Sequence, residues 1–300
     1  VKKGCKVYMA CRNIAKSEKV RNELIESLKK DGIKNAEENL IILKVDLASL
    51  QSILDCAKKV TEETLPIDYL INNAGVMANP KYKETTDGFE YQFGINHIGH
   101  YYLTKLLMPL LLENKTRIIN LSSWGHNLCE YKETEELFQY CFKNKCYMGE
   151  MKNKYIAFKN YGITKASNIL FTRYLNNEYR PHGIYAIAVH PGGINTELAR
   201  DVVPTASDLA LFLKMFLLKP WRIPKDLKNV QSGVSTTLNG VRMTNNDIER
   251  TLYCYYENCR PLEPGKNTPA RYGDNKMTNK LIDLSKALIE SKGFPLQLNS

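Results

Sequence analysis

The chain has 300 residues, with 42 Lys and Arg against 32 Asp and Glu and a formal net charge of +10. That length suits one large α/β domain, and no linker-like stretch divides it. The basic excess is scattered rather than gathered into a basic-aromatic stripe, which argues against nucleic acid as a partner. No apolar run reaches the roughly 20 residues that cross a bilayer. The eight cysteines show neither disulfide nor zinc spacing. The pairs Cys141/Cys146 and Cys254/Cys259 are too wide for C-x-x-C and read as reduced thiols of a cytosol-facing protein.

In chain order, Lys6 to Cys11 predicts a short buried strand with Arg12 at its tip. Ile14 to Lys30 predicts a charged amphipathic helix ending near Gly32. Leu40 to Val45 predicts a strand closed by Asp46-Leu47, and Ser49 to Thr64 a helix with Ser49 as N-cap. Ile67 to Ile71 is a strand running into Asn72-Asn73-Ala74-Gly75. A long helix covers about Phe89 to Glu113, bent by Gly94, Gly99 and Pro109. Ile118 to Leu121 is a strand, Ile163 to Glu178 a helix, and Tyr185 to Val189 a strand. Gly233 to Leu238 reads as a scaffold helix, Asn239 to Asp247 as a loop, and Leu281 to Lys292 as a terminal helix. Apolar strands alternating with helices imply a parallel sheet covered on both faces, a doubly wound α/β fold.

The chemistry concentrates between Arg117 and Lys165. The strand Arg117 to Leu121 delivers Ser122-Ser123, and Tyr161 precedes Lys165 by one helical turn, so both side chains share a face. Bringing a phenol from pKa near 10 to about 7 requires roughly 4 kcal/mol. A lysine and an oxidised nicotinamide together can supply that, whereas a lone surface lysine cannot. A serine hydroxyl from a neighbouring strand end can hold a substrate oxygen while its proton moves. Tyr-x-x-x-Lys alone occurs on many solvated helices.

Other blocks accompany it in order: Leu70-Ile71-Asn72-Asn73-Ala74-Gly75, Asn96-His97-Ile98-Gly99-His100, and His190-Pro191-Gly192-Gly193. With these blocks the chain resembles the short-chain dehydrogenase/reductase family from about Lys3 to Thr196, and more faintly near Gly233 to Cys254. The wording around Ala10-Cys11-Arg12, Phe93-Gly94-Ile95-Asn96-His97 and Ala188-Val189-His190-Pro191-Gly192 is similar to its retinol dehydrogenase branch. The resemblance implies catalytic roles for Asn96, Ser123, Tyr161 and Lys165, with Tyr161 as acid/base. Asn96 would kink its helix and hold a water linked to the lysine. Cofactor contacts are implied for Arg12, Asp46, Leu47, Asn73, Ala74, Gly75, Tyr161, Lys165, Pro191, Gly192 and Thr196. Asn72 would brace neighbouring strands.

An Arg at position 12, with no acid at Ala10, Cys11 or Asn13, favours NADP(H) over NAD(H), because a guanidinium pairs with a 2′-phosphate. Asp46 suits a helix start as well as an adenine contact. His97 and His100 read as packing or solvent-facing residues, not metal ligands. No G-x-x-x-G-x-G precedes Lys6, and the chain opens on Val rather than Met. The expectation is therefore a fragment of a longer gene product, lacking the family's first strand and glycine-rich loop and impaired in cofactor binding. An upstream anchor, and through it an endoplasmic reticulum membrane association, stays open.

Residues 125–160 form a long Tyr-, Phe-, Lys- and Glu-rich filling that either walls the substrate pocket or is a surface insertion. Residues 207–218, with Lys219, Trp221 and Arg222 after them, form either a core-packing helix or an apolar cap over a greasy substrate or bilayer interface. The leading expectation is an NADP(H)-dependent oxidoreductase interconverting an alcohol and a carbonyl on a retinoid- or lipid-aldehyde-type substrate. A homodimer and a membrane-surface contact are left open. The alternative is an impaired fragment or pseudoenzyme that binds or scaffolds.

Overall fold

The computed structural model describes residues 1–63, 66–144, 152–153, 155–194, 206–210, 213, 227–250, 254–262 and 274–298. Strands β1 (Val7–Cys11) and β2 (Leu40–Lys44) pair in parallel, Val7 opposite Leu40. Strands β3 (Tyr69–Asn72), β4 (Arg117–Leu121) and β5 (Tyr185–His190) form a second parallel ladder. The short β6 (Gly193–Ile194) and β7 (Leu227–Lys228) pair with each other, while β8 (Tyr255–Glu257) extends the ladder beside β5 and β9 (Arg260–Pro261) closes it antiparallel.

The helices start where their caps dictate. Asn13 accepts the Lys16 amide at the head of α1 (Ile14–Lys30), and Ser49 accepts that of Ser52 at the head of α2 (Leu50–Glu62). The long central helix is divided into α3 (Tyr91–Phe93), a π-helical turn (Gly94–Gly99) and α4 (His100–Glu113). The bend expected from Gly94 and Gly99 is therefore an extra residue per turn, placed at Asn96. After a 3₁₀ turn (Trp124–Leu128) come α5 (Tyr131–Asn144) and α6 (Ala157–Tyr179). The remaining helices are α7 (Val230–Gly233), α8 (Ser235–Arg242), α9 (Asn245–Arg250) and α10 (Asn275–Glu290).

Adjacent strand residues point to opposite faces of the sheet. On one face Ile118, Ala186 and Ala188 join the main core with Leu106, Ile169 and Leu284 from the helices. On the other, Ile119, Ile187 and Val189 pack with Ile248 and Tyr256. The fold is thus a doubly wound α/β sheet, covered on both faces.

Several sequence readings change, and the terminal helix begins at Asn275 rather than Leu281. Helix α6 begins at Ala157 rather than Ile163, so Tyr161 sits inside it. The stretch from Asn239 to Asp247 is not a loop: α8 runs to Arg242, and Thr244 and Asp247 cap α9 reciprocally, each accepting the other's amide. Strand β8 was not legible as a strand. Residues 131–144 are a scaffold helix: Leu137, Phe138 and Cys141 of α5 lie in the main core. Glu135 Oε1 bridges Lys280 at 2.6 Å and Lys276 at 3.2 Å on α10. Of the 207–218 stretch, residues 207–210 and 213 are described and helical, with Asp208 buried and Leu209 and Leu213 exposed. Among the described residues no helix is long and apolar enough to cross a membrane.

The sheet is interrupted. Among the described residues β1 pairs only with β2, and β3 only with β4 on its inner side. Tyr69 and Ile71 are consequently 41% and 42% exposed in a strand type that is ordinarily buried on both faces. An uncovered apolar edge recruits other chains. The isolated chain is expected to self-associate with rising concentration, and the double substitution Tyr69→Lys, Ile71→Lys to suppress this, as measured by light scattering; equal scattering from both proteins would refute the edge as its cause.

Candidate active site

Strand β4 ends on Leu121, and the two serines that follow do different work. Ser122 is buried and donates to the Lys165 carbonyl at 2.8 Å, fastening α6 to the strand end. Ser123 is half-buried, accepts the Gly125 amide at 3.1 Å, and shares the Gly125 turn with the Tyr161 ring. The 3₁₀ turn packs so tightly on Tyr161 that a Cβ on Gly125 would lie 2.8 Å from the ring. This glycine was not singled out from sequence, although its place two residues after the serine pair marks it.

Lys165 is buried, its ammonium 5.6 Å from the Tyr161 ring centroid. It donates to the Leu121 carbonyl at 3.1 Å, which also accepts from Asn168 Nδ2 at 2.9 Å. No carboxylate lies within ion-pair distance of it among the described residues. Burial lowers its pKa to about 8 and pushes Tyr161 up to about 12, with the nearby Ser123 hydroxyl opposing the latter. Without other groups, then, desolvation outweighs any help the lysine gives the phenol. The shift towards neutrality that the sequence reading assigns to the lysine and an oxidised nicotinamide acting together is not produced by the protein groups alone.

Asn96 is fully buried and holds the turn after β3 by both ends of its amide. Oδ1 accepts the Val76 amide at 2.8 Å, while Nδ2 donates to the Val76 carbonyl at 2.9 Å and to Thr164 Oγ1 at 3.0 Å. Gly75 lies against this amide: a Cβ there would stand 3.1 Å from Asn96 Oδ1 and 3.6 Å from Lys165 Nζ. The turn carrying Asn73, Ala74 and Gly75 is thus fixed over the lysine, with Asn73 and Ala74 exposed. Asn72 braces the strands as expected, donating to Asn120 Oδ1 at 2.8 Å and Thr104 Oγ1 at 3.2 Å.

Arg12, at the tip of β1, donates to the Tyr91 hydroxyl at 3.2 Å, and Lys83 lies 4.2 Å over the Tyr91 ring. Asp46 accepts the Ala48 amide through Oδ1 at 2.9 Å, a local turn ahead of the Ser49 cap, and Leu47 packs against the small cluster of Ala48, Tyr91 and Ile95. Pro191 and Gly192 follow β5, with Gly192 at φ +94° and its amide donating to His190 Nδ1 at 3.3 Å. Thr196 lies outside the described residues. His97 and His100 are buried packing residues, and no group of three or more His, Cys, Asp or Glu suited to a metal occurs among the described residues.

Gln92, which the sequence did not flag, joins three segments. Its Oε1 accepts the Ala78 amide at 2.7 Å; its Nε2 donates to the Tyr155 hydroxyl at 2.9 Å and the Ala157 carbonyl at 3.0 Å. Beneath it, buried Glu90 accepts the Gln92 and Phe93 amides, and burial raises its pKa to about 7.

The short chain dehydrogenase family model matches residues 1–129 and 148–207, and the chain belongs to that family. Within it the chain falls in the retinol dehydrogenase-like branch. It is 33% identical to "Retinol dehydrogenase 12" of Mus musculus over 264 residues, covering 87% of this chain and 72% of that protein. It is 31% identical to mouse "Retinol dehydrogenase 14" over 294 residues, 95% of this chain and 79% of that one. With mouse "Retinol dehydrogenase 11" it shares 38% over 199 residues, 66% of this chain and 56% of the relative. Among solved structures, a short-chain dehydrogenase from Sphingobium yanoikuyae in complex with NADPH superposes with a TM-score of 0.56 at 19% identity, over 91% of this chain and 83% of that one.

The buried ionisable groups make stability depend on pH. Burial lowers His97 to about 3 and His100 to about 4, so each contributes stability present above 6.5 and lost as pH falls. Glu90 works the other way: its stabilisation is full below 4.5 and lost as pH rises through about 7. Between these limits the two histidines outweigh the one carboxyl by a single proton, so the three together raise stability with pH by at most about 1.4 kcal/mol per unit. Glu90→Gln removes the opposing proton and is expected to steepen the rise between pH 4.5 and 6.5, measured by urea unfolding across that range. An unchanged slope would show that Glu90 is ionised throughout.

Proposed function

We propose that this chain is an NADP(H)-dependent oxidoreductase that interconverts an alcohol and a carbonyl on an apolar substrate of retinol/retinal or lipid-aldehyde type, with Tyr161 as the acid/base. The observation that carries this is the convergence on one site of Ser123, the Tyr161 ring and an ammonium buried without a carboxylate among the described residues. Its kinship with retinol dehydrogenases supports the substrate class.

The residues present fit the two ends of such a cofactor. Lys165 uses a carbonyl for one of its three N–H donors, leaving the others to suit ribose hydroxyls. The exposed turn at Asn73 and Ala74 and the Arg12 guanidinium suit the adenosine side. The glycine-rich turn that would take the pyrophosphate is not among the 300 residues. When bound, the cofactor supplies or accepts a hydride at its nicotinamide ring. Ser123 Oγ holds the substrate oxygen, and Tyr161 Oη gives it a proton in reduction or takes one in oxidation. Lys165 favours the phenolate by its charge, and Asn96 fixes the Val76 turn beside it. With Tyr161 near 12, the reductive direction begins from a phenol that already carries its proton at neutral pH. The apolar run of residues 207–218 supports a membrane-surface role.

In the full-length protein, Tyr161→Phe is expected to lower kcat at least about a thousandfold, the scale of a lost acid/base group, while NADPH fluorescence titration shows unchanged binding. Retained turnover would remove Tyr161 from the mechanism. Replacing Arg12 by Glu is expected to weaken NADPH but not NADH by more than about tenfold, the loss of one guanidinium–phosphate pair; equal effects on both would make Arg12 a surface residue.

A further inference from the structure

Helix α6 presents both Tyr161 and Lys165, yet it has no cap of its own. Ile156 occupies the N-cap position and makes no side-chain hydrogen bond to the first turn. The missing acceptor arrives from far along the chain. Asp208, fully buried, accepts the Phe158 amide through Oδ1 at 3.1 Å. Phe158 is the second residue of α6 and lies three before Tyr161. This is the bond that an N-cap Asp makes to its own helix, here supplied by a distant segment, and a carboxylate also complements the helix's positive end.

The neighbouring contacts act on the same turn. Gln92 holds the Ala157 carbonyl one residue earlier, and the Tyr155 hydroxyl, which accepts from Gln92, donates to the Asn79 carbonyl at 2.7 Å. Burial, with Glu90 and Asp208 both close by, raises the Tyr155 pKa. Two buried side chains thus grip successive residues at the head of the helix.

We propose that Asp208 is a positioning residue for the Tyr161 helix: it caps α6 from outside and locks the 206–210 segment to the helix start, setting where the Tyr161 hydroxyl lies against Ser123. The kinetic part of this rests on Tyr161 being the acid/base, whereas the capping part does not. The test uses full-length protein carrying Asp208→Ala, Asp208→Asn or neither, read by amide exchange of the peptide 156–164 and by kcat and KM. Asp208→Ala is expected to speed exchange at the start of α6 about five- to tenfold, the weight of one cap, and to lower kcat with little change in NADPH KM. Asp208→Asn keeps an oxygen acceptor and is expected to restore both. Should the alanine variant not fold, Asp208→Ser takes its place, with intermediate exchange expected. Exchange at wild-type rate in the alanine or serine variant, or no rescue by asparagine, overturns the proposal. Full turnover in Tyr161→Phe beside the expected exchange would leave the cap standing and remove the acid/base reading.

Discussion

A lysine ammonium stored inside the protein against a single backbone carbonyl is the constraint on which the site depends. Burying a cation without a carboxylate is costly, and the drop of Lys165 to about 8 reflects that cost. The surrounding structure has to hold the charge in place. Ser122 fixes the Lys165 carbonyl, Asn168 shares the Leu121 acceptor, and Thr164 joins Asn96 next door. The Asn96 amide in turn fastens the turn after β3, so the lysine, the phenol and the open turn form one rigid unit. A second polar line, Asn72 to Asn120 and on to Thr172, ties β3 and β4 to α6 beneath it. These amides are satisfied in pairs, the condition under which buried polar groups rigidify rather than destabilise.

The parts read correctly from sequence were those with strong local signals. Ser49 announces its helix as an N-cap, and the charged amphipathic pattern of Ile14 to Lys30 matches the helix observed there. The apolar runs at Leu40, Ile118 and Tyr185 were placed within a residue or two at each end. Misses came where tertiary contacts replaced local ones. The start of α6 carries no cap signal because its cap comes from Asp208, so the helix seemed to begin six residues late. Strand β8 is three residues long and is defined by its partner β5, which no local pattern reveals. At α9 the signal is present, since Thr244-x-x-Asp247 is a capping box, but the polar composition around it reads equally as a loop.

The site was legible in part for the same reason. Tyr161, Lys165, Ser123 and Asn96 are declared by spacing and company. Gln92 and Gly125 act through shape and reach, which only the folded chain displays. The electrostatics were the least legible: one helical turn of separation says nothing of how deeply both groups are buried, and depth decides the sign of the shift on Tyr161.

The interrupted sheet has a consequence for how the molecule comes apart. The unit of β1, α1 and β2 has its own small apolar cluster of Ile25, Leu28, Ala36 and Leu40. Among the described residues it reaches the rest of the molecule through side-chain contacts, the Arg12–Tyr91 hydrogen bond included, rather than through a ladder with β3. Such a unit can open as a separate cooperative block at lower free energy than the whole. Arg12 belongs to that block, whereas Tyr161 and Lys165 belong to the other. The residues proposed to meet the adenosine side and to handle the proton are therefore lodged in blocks that can open separately.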